Sequence, residues 1–475
     1  MRRIINPFDQ SVIAEVEEGT TADALAAIAA ARRAFDDGSW TSTSPEHRAA
    51  ILNRVADLLE RDKEDIARTE TLDTGKTIVE SRIDVDDVVA VFRYYGGLAA
   101  LLHPKIVPGA GPDVLSRVDY EPVGVCGLIA PWNYPLLQMS WKVAPALLAG
   151  NTIVAKPSEI TPLTTIKLFE LLTEAGVPDG VANLVLGTGP EVGAPLSEHR
   201  DVDLVSFTGS LATGQRIMVS AATTVKKVAL ELGGKNPNIV FADADVETAV
   251  DYALTAAFFH AGQVCSAGTR LIVHEDIHDA FVAEVARRTD LVKLGNGFDD
   301  DTESGPLVSA EHLAKVEGYV EIGLREGARL VAGGKRPDEP ELANGFFFRP
   351  TVFADCTRDM KLVQDETFGP IITVEKFATE DEAVFLGNDT DYGLAGGVWS
   401  QDLDKAQRVA KRLRHGTVWV NDFGPYLPQA EWGGFKRSGI GRELGTSGLH
   451  EYCEPKHVYQ NLKPSAQNWF ARRDT

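Results

Sequence analysis

Cysteine is scarce in this sequence of 475 residues, which contains four of them, at positions 126, 265, 356 and 453. No two of them form the CxxC pair of a zinc site, and their wide spacing is unlike that of small disulfide-bonded proteins. The sequence therefore predicts no metal site, no disulfide framework and a reduced protein in the cytoplasm.

Positive charge is also in short supply, since 47 Lys and Arg stand against 69 Asp and Glu and give a net charge of −22. Nucleic acids and anionic membranes are bound by basic surfaces, so we expect neither as a partner. No segment approaches the ~18 uninterrupted apolar residues of a membrane span. Residues 1–7 lack the apolar core of a signal peptide, and we expect no membrane association.

The remaining composition is that of a globular protein, with 44% hydrophobic and 24% charged residues. A chain of this length contains two or three domains. Helical spacing of apolar residues predicts helices over residues 21–35, 44–59 and 78–101. A segment punctuated by Gly and Pro, residues 105–120, then predicts a hairpin that reaches a second subunit.

From residue 121 onward, strand and helix patterns alternate, which is typical of a parallel α/β sheet. Five strands are predicted, over residues 123–129, 152–155, 182–186, 204–207 and 226–230. Ligands of such sheets bind at the carboxyl ends of the strands. No GxGxxG segment follows the first strand, which disfavours an ordinary Rossmann nucleotide site.

Polar residues stand at several of these strand ends. Lys156 and Glu159 suit either the hydroxyls of a ribose or a surface ion pair. Gly209 and Ser210 precede a helix, whose first N–H groups suit a phosphate. Glu231 ends an apolar strand, where burial would raise its pKa as a general base requires, whereas exposure would leave an ordinary carboxylate.

Cys265 lies on a short link between a predicted helix, which Asp245 opens and Gly262 ends, and a strand predicted over residues 270–274. Its neighbours are small, so a substrate could reach the thiol and backbone N–H groups could activate it. The alternative is a buried cysteine that packs as a small hydrophobic residue.

Seven segments, taken together, resemble the aldehyde dehydrogenase superfamily over essentially the whole chain. They are Pro131-Trp132-Asn133-Tyr134-Pro135, Lys156-Pro157-Ser158-Glu159, Phe207-Thr208-Gly209-Ser210, Leu230-Glu231-Leu232-Gly233-Gly234-Lys235, Gly262-Gln263-Val264-Cys265, Glu366-Thr367-Phe368-Gly369-Pro370 and Ser438-Gly439-Ile440-Gly441-Arg442-Glu443. Within the superfamily, residues 419–423 and 426–434 are most similar to betaine aldehyde dehydrogenases.

The resemblance implies an NAD-dependent oxidation of an aldehyde to its acid through a thiohemiacetal and a thioester. Cys265 would be the nucleophile, Asn133 an oxyanion donor, and Glu231 the base that activates the hydrolytic water. Lys142 and Glu443 would form a proton-relay pair beside Glu231. A catalytically inactive relative that serves as a binding or structural protein is the alternative from another class.

The resemblance also implies a dinucleotide site, in which Glu159 would accept from the adenosine 2′-hydroxyl and so favour NAD, with NADP still possible. The residues at matching positions are Trp132, Lys156, Ser158, Glu159, Gly189, Gly193, Gly209, Ser210, Leu232, Glu366 and Phe368. One departure concerns the pyrophosphate, because Leu211-Ala212 stands where many relatives have Thr-Glu.

Four aromatic residues, Tyr134, Trp141, Phe259 and Trp432, occupy the family's substrate positions. A box of aromatic faces suits the trimethylammonium group of betaine aldehyde through cation–π attraction. Core packing is the other interpretation of these rings. Aminoaldehydes such as 4-aminobutyraldehyde, and aliphatic aldehydes in general, stay open as substrates.

The resemblance finally implies an aldehyde dehydrogenase-like fold with a five-stranded Rossmann-like cofactor domain. That domain would comprise residues 1–104 and 123–233, with a return over 436–453. An α/β catalytic domain would span residues 234–435. A β-hairpin arm, residues 105–122 with 454–475, would hold a homodimer or homotetramer together.

Overall fold

The computed structural model describes residues 1–467 and 469–470, so residues 468 and 471–475 of the predicted arm lie outside the described residues. Its helices are α1 Thr21–Asp37, α2 Pro45–Arg61, α3 Lys63–Thr74, α4 Ile78–Gly96, α5 Pro135–Ala149, α6 Leu163–Ala175, α7 Ala194–Glu198, α8 Leu211–Ala222, α9 Val246–Phe258, α10 Glu275–Thr289, α11 Ala310–Glu326, α12 Lys361–Gln364, α13 Glu380–Asn388, α14 Leu403–Arg412 and α15 Gly445–Glu451. Its strands are β1 Arg2–Ile5, β2 Val12–Val16, β3 Lys105–Ile106, β4 Val114–Pro122, β5 Val125–Ile129, β6 Thr152–Lys156, β7 Ala182–Leu184, β8 Leu204–Thr208, β9 Lys227–Glu231, β10 Pro237–Val240, β11 Arg270–His274, β12 Arg329–Ala332, β13 Thr351–Ala354, β14 Ile371–Phe377, β15 Ala395–Trp399, β16 Thr417–Val420, β17 Gly439–Ile440 and β18 Cys453–Asn461.

The helices predicted in the first hundred residues are confirmed as α1, α2 and α4. Thr20 and Thr77 cap α1 and α4 by accepting from the backbone of Asp23 and Glu80, whose carboxylates accept in turn from the backbone N–H of the cap residue. Pro45 takes the first helical position of α2, where its missing N–H removes no helical bond.

The first sheet has the order β17-β9-β8-β5-β6-β7 and contains the five predicted parallel strands. A sixth strand, β17, was not predicted and pairs antiparallel with β9 at the edge. Val125 and Ile129 of β5 pack into one core, and Cys126 and Leu128 pack into another on the opposite face. Both faces of the sheet are therefore covered, as in other parallel sheets.

The second sheet has the order β12-β13-β14-β11-β10-β15-β16 and is parallel except for the edge strand β12. Strand β11, the predicted strand after Cys265, lies in its middle between β14 and β10. The link that carries Cys265 therefore leads into the central strand of this sheet.

A buried ion pair joins two strands of the second sheet. Arg270 of β11 donates to both carboxylate oxygens of Glu375 on β14, and its third nitrogen donates to the Leu386 carbonyl at 2.7 Å. Both charged side chains are almost completely excluded from solvent. The attraction between the two charges offsets the cost of removing each one from water, so neither would be stable there without the other.

Replacing Arg270 with methionine is expected to lower the free energy of unfolding by about 3–5 kcal/mol, because Glu375 would be left buried without a counter-charge. Lys335→Met is the matched control, since Lys335 pairs with Asp338 on an exposed surface and its loss should cost less than about 1 kcal/mol. Urea unfolding followed by circular dichroism measures both. Equal midpoints for the two variants would contradict the prediction.

The predicted hairpin is confirmed as β3 and β4, and β18 extends it to a three-stranded antiparallel sheet. The register of β18 and β4 runs from Cys453 opposite Pro122 to Asn461 opposite Val114. Apolar side chains remain exposed on this sheet, with Ile106 at 58% and Tyr459 at 59%. Of the helices in the described part of the chain, none has the length and apolarity to cross a membrane.

Candidate active site

The link that carries Cys265 is shaped by an irregular backbone. The helix α9 ends at Phe258, four residues before the predicted end at Gly262, and a 3₁₀ turn follows. His260 and Ala261 have φ values of 48° and 51°, and this left-handed backbone breaks the helix early. Gly262 is needed for another reason, because its φ is +72° and a Cβ would lie 2.4 Å from the Gly369 carbonyl oxygen.

Two buried amide side chains fix this link. Asn236 donates to the carbonyls of Cys265 and Ala267 at 2.9 and 3.0 Å, and its oxygen accepts from the backbone of Ala395. Gln263 accepts from the Val308 N–H at 2.9 Å. These hydrogen bonds hold the link that carries Cys265 in place. Neither amide was predicted as part of the site.

Asn133, the predicted oxyanion donor, lies beside the same link. Its Nδ2 donates to the Gln263 carbonyl at 2.7 Å, two residues before Cys265. A side-chain amide has two N–H groups, so one remains for a ligand. This hydrogen bond fixes the direction of the second N–H, as preorganised oxyanion donors require.

The environment of Cys265 favours a neutral thiol in the resting protein. The pKa of Cys265 is raised to about 12, mainly by burial and in addition by the carboxylates of Glu366 and Glu231. The backbone N–H groups of Ser266 and Cys265 face the sulfur and oppose these effects by lowering the pKa. A group that removes the proton is therefore required before the thiol can attack.

Glu231 lies at the carboxyl end of β9 and is buried, with 5% of its surface exposed. Its Oε2 has no hydrogen-bond partner among the residues that the structure describes. Burial raises the pKa of Glu231 well above its usual range, and the neighbouring Glu443 raises it further. A buried carboxyl without a partner at a strand end is placed to exchange a proton with a water or a substrate.

Lys142 and Glu443 form an ion pair behind Glu231, and both are buried. The Lys142 ammonium also donates to the Thr208 hydroxyl at 2.8 Å, and Ser206 donates to Glu443 at 3.3 Å. Within residues 1–467, Oε2 of Glu443 has no partner. The role of this pair in moving protons stays a prediction.

One cavity of about 1230 Å³ runs along the carboxyl ends of the first sheet to Cys265, Glu231, Asn133 and Tyr134. Every predicted cofactor residue lines it, namely Trp132, Lys156, Ser158, Glu159, Gly189, Gly193, Gly209, Ser210, Leu232, Glu366 and Phe368. Its volume exceeds that of most sites for small ligands, as an extended dinucleotide requires.

The middle of this cavity suits a pyrophosphate. The first turn of α8 borders it, with Ser210 as the N-cap that accepts from Thr213 at 3.3 Å. Leu211 and Ala212 belong to the first turn, whose N–H groups have no partner inside the helix and form the positive end of the helix dipole. The departure from the family pattern at Leu211-Ala212 thus leaves the backbone donors in place.

The two ends of the cavity differ in chemistry. At one end, Lys156 lies 3.3 Å from Glu159, beside the polar hydroxyl of Ser158. At the other end, the rings of Trp132 and Phe368 meet edge-on at 5.2 Å near Cys265. Hydroxyls of a ribose fit the first end, and a flat, apolar ring fits the second.

Aromatic rings pack into a cluster around Trp141 of α5. The centroids of Trp141 and Trp432 are 5.8 Å apart, and Tyr426 lies 5.2 Å from Trp141. Trp419 extends the cluster at 6.4 Å from Trp432. Tyr134 lines the large cavity and has the Lys76 ammonium 3.7 Å from its ring centre, so it already interacts with a cation.

Phe259, the fourth ring predicted for the substrate, is half-buried and lies at the start of the irregular turn. In residues 1–467 it makes no ring–ring contact with the cluster, whereas Tyr426, which was not predicted, does. The roles of all four predicted rings stay predictions.

The comparison with known proteins bears on the whole chain. A family model described as the aldehyde dehydrogenase family matches residues 2–458. The chain belongs to the aldehyde dehydrogenase family.

Individual aldehyde dehydrogenases are similar along nearly the full length. The betaine aldehyde dehydrogenase of Bacillus subtilis (strain 168) is 63% identical, over 99% of this chain and 96% of that protein. The mitochondrial aldehyde dehydrogenase of Homo sapiens is 46% identical, over 96% and 87%. A crystal structure of betaine aldehyde dehydrogenase from Staphylococcus aureus in complex with NAD+ has a TM-score of 0.97 at 55% identity, and covers 99% of this chain and 94% of that one. The predicted family and fold are confirmed.

Several cavity residues of this aldehyde dehydrogenase escaped the sequence analysis, and two of them lie near the predicted site. His312 and Lys315 of α11 line the cavity beside Glu366. His312 packs against Trp132 at 5.1 Å, and its Nε2 lies 2.6 Å from the Phe368 carbonyl. Burial lowers the pKa of His312 to about 4, so the ring is neutral at pH 7 and donates to that carbonyl.

The raised pKa values predict a rate that increases with pH. A nucleophilic Cys265 and a general base Glu231 would both act in their deprotonated forms, and burial raises the pKa of each. Below the raised values, kcat/KM should therefore fall by up to about tenfold per pH unit for each group that limits the reaction. A profile between about pH 6 and about pH 10 tests this. A rate that is flat or that falls across that range would contradict it.

Proposed function

We propose that this chain is an NAD-dependent aldehyde dehydrogenase that oxidises betaine aldehyde to glycine betaine. The observation that carries the proposal is the meeting of Cys265, Asn133 and Glu231 at the apolar end of a dinucleotide-sized cavity. The similarity to betaine aldehyde dehydrogenases over nearly the whole chain supports the choice of substrate.

In the first step, the Cys265 thiol loses its proton to solvent in the cavity, and the resulting thiolate attacks the aldehyde carbon. A C–S bond forms, and the carbonyl π electrons move to oxygen. The Asn133 amide and the Cys265 N–H hold that oxyanion, at about 3–4 kcal/mol per donor. NAD, when bound, accepts the hydride from the same carbon. The acyl group is then left on Cys265 as a thioester.

Hydrolysis returns the protein to its starting state. Glu231 takes a proton from a water molecule, whose oxygen attacks the thioester carbon. The C–S bond breaks, the sulfur leaves as thiolate, and the product is a carboxylic acid. Lys142 and Glu443, paired behind Glu231, are proposed to pass its proton onward.

The aromatic cluster and the local charge support a cationic substrate. Tyr134 lines the cavity and offers a ring to a trimethylammonium group, whereas Trp141 and Trp432 are buried and pack against each other. The hydroxyl of Tyr426 donates to Asp87 at 2.6 Å, which adds a carboxylate beside the rings. The net charge of −22 attracts a cation over longer distances.

A pair of isosteric aldehydes tests the substrate. Betaine aldehyde and 3,3-dimethylbutanal differ only in a cationic nitrogen replaced by carbon, so cation–π recognition should give betaine aldehyde about a tenfold higher kcat/KM. Equal values would contradict the proposed recognition. A higher value for 4-aminobutyraldehyde or an equal one for propanal would favour the aminoaldehyde or the general aliphatic alternative. No turnover of any of them would favour the inactive binding protein.

The proposal extends to architecture and location. The cofactor domain is residues 1–104, 123–233 and 436–453, and the catalytic domain is residues 234–435, which the separate sheets support. The arm, residues 105–122 and 454–475, is proposed to join a cytoplasmic homodimer or homotetramer. The exposed apolar side chains of β3 and β18 support that role. Light scattering on the purified protein measures the subunit number.

A further inference from the structure

The amino-terminal hairpin of β1 and β2 lies beside the ribose end of the cavity. Arg2 and Glu18 line a narrow crevice together with Ser158 and Glu159. Ser158 and Glu159 also line the large cavity, so the crevice adjoins it. The Gly19 N–H donates to the Leu186 carbonyl at 2.9 Å and fixes the end of the hairpin at this place.

Arg2 is engaged by Glu18. Its Nε and Nη2 donate to one Glu18 oxygen at 2.8 and 2.5 Å. Both side chains are about 30% exposed, at 30% and 29%. A charge-assisted pair at these distances keeps the guanidinium from other anions, and its partial burial limits competition from water.

We propose that Arg2 and Glu18 determine how the protein discriminates at the adenosine 2′ position. Glu18 holds Arg2 in an ion pair and so withholds it from a 2′-phosphate. The inference rests on the proposed function, because it requires a dinucleotide whose ribose lies at Glu159. It adds two residues of the amino-terminal hairpin to the determinants of cofactor choice.

The local charges support this. The charged residues around this end of the cavity comprise three carboxylates and two cations, namely Glu17, Glu18 and Glu159 and Arg2 and Lys156. A 2′-phosphate brings between −1.5 and −2 charges, roughly, at neutral pH and meets a net negative site. Removing the charge of Glu18 makes the site neutral and leaves a guanidinium whose fork matches phosphate oxygens.

The hairpin contains its own control. Arg3 and Glu15 form a second pair one residue along, at 3.2 Å, with exposures of 72% and 51%. Adjacent residues of a strand point to opposite faces, so this pair faces away from Arg2. Glu15→Gln changes the net charge by the same amount as Glu18→Gln and leaves the crevice unchanged.

Calorimetric titration with NAD and with NADP, without aldehyde, measures the two dissociation constants directly. In Glu18→Gln, NADP affinity relative to NAD should rise about tenfold, as expected for one new charge-assisted contact. The double variant Arg2→Gln with Glu18→Gln should lose that gain, and Glu15→Gln should show none.

An unchanged ratio in Glu18→Gln would overturn the inference and leave the proposed function intact. A gain that persists in the double variant, or one of equal size in Glu15→Gln, would show a general charge effect and would also overturn it. Failure of the unmodified protein to bind either dinucleotide would overturn both the inference and the proposed function.

Discussion

Replacing Cys265 with serine is expected to lower kcat by about 10⁴-fold or more, because no other thiol lines the cavity in the described part of the chain. A serine hydroxyl is far less acidic than a thiol, and the burial that already raises the pKa of Cys265 to about 12 would act on it too. NADH formation from betaine aldehyde measures the loss. Calorimetric binding of NAD should be preserved, since the thiol lies at the end of the cavity.

Cys453→Ser is the matched control for this variant. Cys453 is buried, and its thiol donates to the Leu449 carbonyl, a contact that a hydroxyl can replace. Its kcat should stay within about twofold of the unmodified protein, as for a substitution away from the chemistry. If Cys453→Ser lost as much activity as Cys265→Ser, or if Cys265→Ser remained active, Cys265 would not be the nucleophile.

Replacing Glu231 with glutamine is expected to separate the two halves of the reaction. The steady-state rate should fall about 10²–10⁴-fold, because water would attack the thioester without a base. The first half should still occur, since removing this carboxylate also removes one of the groups that raise the pKa of Cys265. Rapid mixing should therefore show a burst of about one NADH per subunit, followed by slow turnover.

Glu366→Gln gives the comparison for that experiment. Glu366 also raises the pKa of Cys265, but its Oε1 accepts from the Gly234 N–H at 2.9 Å. We therefore expect Glu366 to bind and position the cofactor, and its glutamine variant should show no burst followed by slow hydrolysis. If Glu231→Gln gave no burst, or if both variants gave the same burst, the assignment of the hydrolytic base would be wrong.

Much of the site could be predicted because its residues lie in short segments at strand ends. Glu231 stands out as a charge that ends an apolar strand, and Cys265 as a cysteine on a link between a helix and a strand. Such local contrasts are visible in one sequence. Together with the spacing of the segments, they were sufficient for the family and the fold.

Other parts could not be predicted because tertiary packing alone creates them. His312 reaches the cavity from a helix whose sequence shows nothing unusual, and it meets Phe368 only in the fold. Strand β17 has two residues, too few for any periodicity. The early end of α9 depends on the left-handed backbone of His260 and Ala261, which is uncommon for any residue other than glycine.

The edge strand β17 has a consequence for synthesis. Gly439 pairs with Glu231, and Lys142 meets Glu443 across 301 residues of sequence. The ribosome has therefore made nine-tenths of the polypeptide before it reaches Glu443, the counter-charge of Lys142. The nascent chain can form most of its first sheet early, but Glu231 acquires its final surroundings only when translation is nearly finished.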